Sequence, residues 1–237
     1  MFVDIHSHIL PGIDDGPEKI EQSLKLLECA VKDGIDRIVA TPHFYASIHS
    51  LNQHIDTANQ LFLKLDSLVK EKELPLSLSL GYEVRYFSGI SRIDSLDKIC
   101  INGTKVVLLE LGNIPFTSDV IDEIMDLNYY GYTVVLAHIE RYTKMRGFSS
   151  IKQLVASNVV YAQCNASSFI KSPFRRAANG LLKEGLVSAI ASDMHSVEER
   201  PPKIKEAMTI IEKKLGIYQK NKLLRKTEKL YELMIHE

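Results

Sequence analysis

Short runs rich in β-branched residues and leucine recur along this chain with helix-forming segments between them, an alternation that restricts the fold more than any single motif. The runs are FVDIH (2–6), DRIVAT (36–41), LSLSLGYEV (76–84), KVVLLEL (105–111), YTVVLA (132–137), NVVYAQC (158–164) and LVSAIAS (186–192). Their length and apolar content predict seven mostly buried strands. Between them, Ile20, Leu24, Leu27 and Val31 have helical spacing, as do Leu61, Leu65 and Leu68. Gly16-Pro17-Glu18 predicts the start of the first helix, with Pro17 at its first position. Strand–helix alternation implies parallel strands with right-handed crossovers, hence either an open doubly wound sheet or a barrel. No repeat or linker divides the 237 residues, so residues 1–237 are expected to form a single domain. The last stretch, 217–235, has a lysine-rich polar face and reads as a solvated surface helix.

Composition narrows the partners. With 29 Lys+Arg against 30 Asp+Glu, the chain has no global charge that would favour nucleic acid or an acidic membrane. It contains neither a signal-type leader nor an apolar run of about 20 residues, so a cytoplasmic location without membrane insertion is expected. Cys29, Cys100 and Cys164 are widely spaced and odd in number, which suits a reducing compartment. None has an arginine six positions on, since Ile35, Val106 and Ile170 stand there, so cysteine-phosphatase chemistry is not expected.

The polar residues gather at strand ends, where α/β folds carry their chemistry. His6 and His8 end the first strand, His43 follows the second, Glu83 ends the third and Glu110 the fourth. His138 follows the fifth, and Asp193 and His195 follow the seventh; the sixth ends in Cys164-Asn165 with no obvious ligand. Each alone has an ordinary structural reading: a polar seam for His6 and His8, a turn or helix cap for Asp14 and Asp15, a lysine-paired acid for Glu110. Together those readings would leave several polar groups in one barrel mouth without a shared purpose. Imidazoles and carboxylates without thiolates suit divalent Mn, Fe, Zn or Mg. Several such ions in one site lower the pKa of a shared water and stabilise the attacking and leaving oxygens of phosphoryl transfer. Arg141, in AHIERY, and Arg200, in DMHSVEERPP, could grip phosphate oxygens, unless Glu140 or Glu198 pairs with them.

The motifs DIHSHILPGIDDGP, ATPHF, GYEV, LLEL, AHIERY and ASDMHS...RPP stand in order from residue 4 to residue 202. The chain thereby resembles the PHP (polymerase and histidinol phosphatase) superfamily, and within it the CpsB/CapC family of bacterial protein-tyrosine phosphatases of capsule and exopolysaccharide synthesis. The resemblance implies a distorted (β/α)7 TIM-like barrel with a metal site at the C-terminal mouth of the strands. It implies up to three divalent ions, Mn2+ first with Fe or Zn as alternatives. His6, His8, Glu83 and Asp193 would hold one; Glu83, Glu110 and His138 a second; Asp15, His43 and His195 a third. Asp14 would be left as a turn residue, and Ile5 would face the helices. Arg141 and Arg200 would bind phosphate, and together with Asp193 they form the catalytic set. The implied substrate is the phosphotyrosine tail of a bacterial tyrosine autokinase. Phe44, where relatives often carry histidine or arginine, would alter substrate contacts at the mouth. The alternatives are another PHP phosphoesterase, such as a histidinol-phosphate phosphatase, or a metal-stabilised regulatory binding protein without activity.

Overall fold

The computed structural model describes residues 2–235. In chain order the elements are β1 (Phe2–Ser7), α1 (Ile20–Lys32), β2 (Ile35–Ala40), β3 (His43–Phe44), α2 (Leu51–Glu71), β4 (Ser77–Leu80), β5 (Glu83–Arg85) and β6 (Val106–Glu110). There follow α3 (Ser118–Tyr129), β7 (Thr133–Leu136), α4 (Phe148–Ala156), β8 (Tyr161–Asn165), α5 (Ser167–Ile170), α6 (Arg175–Lys183), β9 (Ala189–Ala191), α7 (Ile204–Leu215) and α8 (Ile217–Ile235). All strand pairs are parallel, in the orders β1-β2-β4 and β3-β5-β6-β7-β8-β9.

The seven expected strands become seven staves of a distorted barrel, two of them broken. The second stave is β2 plus β3, interrupted at Thr41-Pro42, and the third is β4 plus β5, interrupted at Gly81-Tyr82. Proline has no N–H to give to a ladder, so regular pairing stops there. The staves stay adjacent because Gly81 N–H donates to Ala40 O at 2.8 Å and Glu83 N–H to Pro42 O at 3.1 Å. On the other side the ring closes where Asp193 N–H donates to His6 O at 3.0 Å and His8 N–H to Met194 O at 2.9 Å. One crossover departs from the alternation: β5 reaches β6 through three short 3-10 turns, Ile90–Arg92, Leu96–Ile99 and Ile101–Gly103.

Register explains how the first strand serves two purposes. Asp4 lies opposite Ile38 and Ser7 opposite Ala40, so β1 spends one residue more than β2 over the same span, a β-bulge. Ile5 therefore packs inside the barrel with Val3, Val39, Leu108 and Val135, contrary to the expected outward position. Strict alternation would have forced a choice between filling the interior with Ile5 and presenting His6 to the mouth. The bulge permits both.

The helical layer packs on the outward strand residues, among them Ile38, Leu109, Leu136 and Ile190. Helix α1 buries Leu24, Leu26, Leu27 and Ala30, and α2 buries Ala58, Leu65 and Val69. Helix α1 starts at Ile20 and not at Pro17. The Gln22 side chain accepts from the N–H groups of Glu18 and Lys19, and Gly12 N–H donates to Pro17 O at 2.7 Å. Pro17 thus ends a closed loop instead of opening the helix.

The final helix also differs from its reading as a solvated element. Leu223, Thr227, Leu230, Tyr231 and Met234 form a buried stripe on α8. Leu230, Tyr231 and Met234 join Val3, Ile101 and Val106 in the interior cluster, so α8 closes the end of the barrel opposite the mouth. Arg37 pairs with Glu228 and its guanidinium lies 5.3 Å from the Tyr231 ring centre, while Asn102 Nδ2 donates to Met234 O at 2.9 Å. The abundant lysines on the polar face conceal this stripe from a reading based on charge. Replacing Leu230 by alanine should cost about 2–5 kcal/mol of stability, read as a lowered denaturant midpoint, because the floor around it cannot collapse fully.

Candidate metal centre

The barrel brings all nine proposed ligand residues to one mouth. His6 and His8 come from the end of β1, Asp15 from the loop after it, His43 from β3, Glu83 from β5 and Glu110 from β6; His138 follows β7, and Asp193 and His195 follow β9. At the deepest point His6 Nε2 and His8 Nε2 are 3.2 Å apart. Both lie 3.3 Å from Glu83 Oε2 and 3.6 Å from Asp193 Oδ1. A second corner has His138 Nε2 at 2.8 Å from Glu83 Oε1 and 3.7 Å from Glu110 Oε1. At the third, Asp15 Oδ1 lies 3.1 Å from His195 Nε2 and 3.5 Å from His43 Nε2. Two residues sit between corners: His8 stacks on His195 with ring centres 3.9 Å apart, and His43 Nδ1 is 3.0 Å from Glu83 Oε2. Exposure separates the corners, since His6, His8, Glu83 and Asp193 are buried while the Asp15 side chain is 60% exposed.

The donor set fits divalent ions. Ligand atoms about 2.1 Å from one ion lie about 3 Å from one another when adjacent, close to the spacings at the deepest corner. His8, His43, Asp15 and His195 can bring one atom each within 4.8 Å of one another, as can His6, His8 and Asp193, and His43, Glu83 and Glu110. Tautomers agree. His8 Nδ1 faces Asp14 Oδ2 at 2.7 Å and His195 Nδ1 faces its neighbour Asp193 O at 3.0 Å. His138 Nδ1 lies 3.2 Å from the Tyr142 hydroxyl, which also accepts Leu111 N–H at 3.1 Å. The acceptor-only oxygens behind His8 and His195 hold their protons at Nδ1, leaving those Nε2 lone pairs aimed into the cluster. His43 Nδ1 and His195 Nε2 are buried without hydrogen-bond partners although carboxylate oxygens lie beside them, as expected of lone pairs converging on a cation.

The local field points the same way. Burial alone would push the His8 imidazole down, but the Asp14 and Glu83 carboxylates carry it up to about 10. For His6, burial is likewise overcome by Glu83 and Asp193, and its pKa is raised. Burial opposes ionisation of Glu83 and Asp193, yet the surrounding imidazoles and, for Asp193, Arg200 hold both carboxyls below the usual range. The mouth is thus a cation-seeking cavity that retains protons where no other cation balances its carboxylates.

The arginines do not pair with the acids beside them in sequence. Arg141 Nη2 and Arg200 Nη2 each lie 2.8 Å from the same oxygen, Asp193 Oδ2. Glu140 turns away and is fully buried, accepting from Asn165 N–H at 3.0 Å and Ser168 Oγ at 2.7 Å.

Several contributors escaped the sequence reading. Asp14, left as a turn residue, also accepts His43 N–H at 3.1 Å and Gly16 N–H at 3.0 Å, so it orients two ligand-bearing segments. A Cβ at Gly16 would meet His8 O at 2.6 Å, which is why glycine follows the aspartate pair. Adjacent aspartates in a loop carry no signal that separates the two roles. Arg85 Nη1 pairs with Glu110 Oε2 at 2.6 Å; its guanidinium occupies the space that a side chain on Gly112 would need. Phe44 is 3% exposed and packs toward His49 and His54, so it is not a contact of the mouth. Its neighbour Tyr45, half-buried with its ring 5.0 Å from that of His43, stands there instead.

A closed parallel barrel with nine imidazole and carboxylate residues converging at the C-terminal strand ends is a scaffold for a multi-ion hydrolytic centre. The chain belongs to the CpsB/CapC family, described as capsular polysaccharide synthesis, whose model matches residues 2–231. It is 32% identical over 235 residues to the tyrosine-protein phosphatase CpsB of Streptococcus agalactiae serotype III (strain NEM316), covering 94% of each chain. It is 27% identical over 226 residues to the tyrosine-protein phosphatase YwqE of Bacillus subtilis (strain 168), covering 91% of this chain and 85% of that one. In three dimensions it resembles a chain from the crystal structures of YwqE from Bacillus subtilis and CpsB from Streptococcus pneumoniae, described as unique metal-dependent tyrosine phosphatases. That match has a TM-score of 0.82 at 26% identity, over 98% of this chain and 95% of the other.

Asp14→Ala should weaken divalent-ion binding about 10–100-fold, because the partner that fixes a ligand's tautomer contributes that much to affinity. Calorimetric titration of the metal-free protein measures it.

Proposed function

We propose that this protein is a metal-dependent protein-tyrosine phosphatase acting, as a single domain over residues 1–237, on the phosphotyrosine tail of a bacterial tyrosine autokinase and so regulating capsular or exopolysaccharide synthesis. The observation that carries this reading is the pair of guanidiniums meeting on Asp193 Oδ2 at the edge of the imidazole–carboxylate cluster. A cavity of about 120 Å³ opens there, where Arg141, Arg200 and Lys203 outnumber the acids Asp193 and Glu199 in the lining. Its size and charge suit a phosphoryl group.

His6, His8, Glu83 and Asp193 would hold one ion, Glu83, Glu110 and His138 a second, and Asp15, His43 and His195 a third, with Mn2+ the expected ion. When bound, the ions supply an activated water and balance charge on the attacking and leaving oxygens. The protein's own contribution is position. Arg141 and Arg200, drawn from Asp193 by a stronger anion, hold the equatorial oxygens of the phosphoryl group and orient it for in-line displacement. The leaving phenolate, with a parent pKa of about 10, needs less protonation than an alkoxide. No covalent phosphoenzyme is expected: Cys164 is fully buried, and burial together with Glu140 pushes its thiol well above the ordinary range. Tyr45 at the rim offers an aromatic surface to the substrate ring. No described helix is long and apolar enough to cross a membrane, in keeping with a proposed cytoplasmic site of action.

The Mn2+-loaded protein should hydrolyse a phosphotyrosine peptide with saturation kinetics and leave histidinol phosphate largely unused. Faster turnover of histidinol phosphate would assign it to small-molecule phosphoesterases, and no turnover of either would favour a binding role. Arg141→Ala and Arg200→Ala should each lower kcat/KM for the peptide about 10²–10³-fold while bound metal stays unchanged, since each removes a donor aimed at developing charge.

A further inference from the structure

Strand β8 is the one stave that sends no proposed ligand into the mouth, yet its inward side chains Gln163 and Asn165 are 0% and 4% exposed. His138 N–H lies 2.7 Å from one terminal atom of the Gln163 amide. A backbone N–H can only donate, so that atom is the carbonyl oxygen and the amide has one orientation. The same Oε1 faces His6 Nδ1 at 3.2 Å. An oxygen acceptor there requires the proton on Nδ1, which leaves the His6 Nε2 lone pair toward His8 and Glu83. At its other end Gln163 Nε2 donates to Asn165 Oδ1 at 2.8 Å, and Asn165 Nδ2 therefore donates to Asp193 Oδ2 at 2.6 Å. One backbone N–H sets the polarity of the whole chain.

Both ends of this chain meet strained backbone. His138 and Asp193 are non-glycine residues with φ of +34° and +52°, in the left-handed region. Gln163 takes the N–H of the first, and Asn165 holds the carboxylate of the second. Asn165 is itself anchored, its N–H donating to the buried Glu140 carboxylate at 3.0 Å. The hold on Asp193 is independent of Arg141 and Arg200, which would leave that oxygen for a phosphoryl group.

We infer that Gln163 and Asn165 are positioning residues of the metal centre: one hydrogen-bonded amide pair keeps His6 in its Nδ1–H form and Asp193 in its ligating orientation. This rests on the metal-centre reading given under the proposed function. Mn2+ titration calorimetry, turnover of a phosphotyrosine peptide, and NMR of the imidazole Nδ1 protons in the diamagnetic Zn2+-loaded protein test it on the full chain. Gln163→Leu should weaken Mn2+ binding about 10–100-fold and abolish the slowly exchanging His6 Nδ1 proton. Gln163→Glu, whose carboxylate can still accept from His6 and His138 but has no N–H to give Asn165, should retain that proton while losing Mn2+ affinity as Asn165→Ala does. Asn165→Ala should keep the His6 signal while lowering Mn2+ affinity through Asp193. Parental Mn2+ affinity and an unchanged His6 proton in Gln163→Leu would overturn the inference, as would loss of the His6 proton in Gln163→Glu, which marks a merely structural polar pair. Should Gln163→Leu not fold, Asn165→Ala and Gln163→Glu decide, and parental affinity in Asn165→Ala overturns the link to Asp193. A parent protein that binds Mn2+ but hydrolyses no phosphotyrosine peptide would refute the phosphatase reading alone; one that binds no divalent ion would refute both.

Discussion

A carboxylate can be buried only where positive charge or many donors meet it, and Glu83 is the group around which this mouth is organised. Its Oε2 lies 3.3 Å from His6 Nε2, 3.3 Å from His8 Nε2 and 3.0 Å from His43 Nδ1, while Oε1 lies 2.8 Å from His138 Nε2. Four of the five mouth histidines therefore converge on one carboxyl group at 1% exposure. Such a centre is unfavourable unless cations, or the protons standing in for them, are present. That requirement accounts for the staves feeding one point and for the partners behind the imidazoles that turn their Nε2 atoms inward.

The alternation of strands and helices made a parallel α/β fold readable, and the clustering of polar residues at strand ends made the mouth readable. What escaped was of three kinds. The bulge in β1 arises from pairing with β2, and no local pattern in FVDIHS announces that Ile5 and His6 will both turn from the helical layer. The floor formed by α8 was hidden by lysines, although Leu223, Leu230 and Met234 recur at helical spacing beneath them. Asp14, Gln163 and Asn165 act by contact with residues distant in the chain. Gln163 and Asn165 did leave a trace, as alternating polar residues on a strand that was otherwise expected to be buried.

In the proposed function Asp193 would connect binding of ions to binding of anions. One oxygen faces His6 and His8; the other receives Asn165 and both arginines. The carboxylate holds the guanidiniums where a phosphoryl group would find them, so the two arginines are organised without a substrate. This limits the reorganisation needed on binding, a condition for strong electrostatic stabilisation of a charged transition state.

The interior packed by Ile5, Val39, Leu108 and Val135 and floored by Leu230, Tyr231 and Met234 makes the barrel mouth a cul-de-sac. A polypeptide cannot thread through it; only the tip of a side chain can descend, and what remains after reaction must back out by the way it came. Traffic at such a dead end runs in one direction at a time, so in the proposed function inorganic phosphate held by the arginines would stand in the path of the next substrate. On the proposed function, clearance of the mouth would then bear on turnover alongside the chemistry.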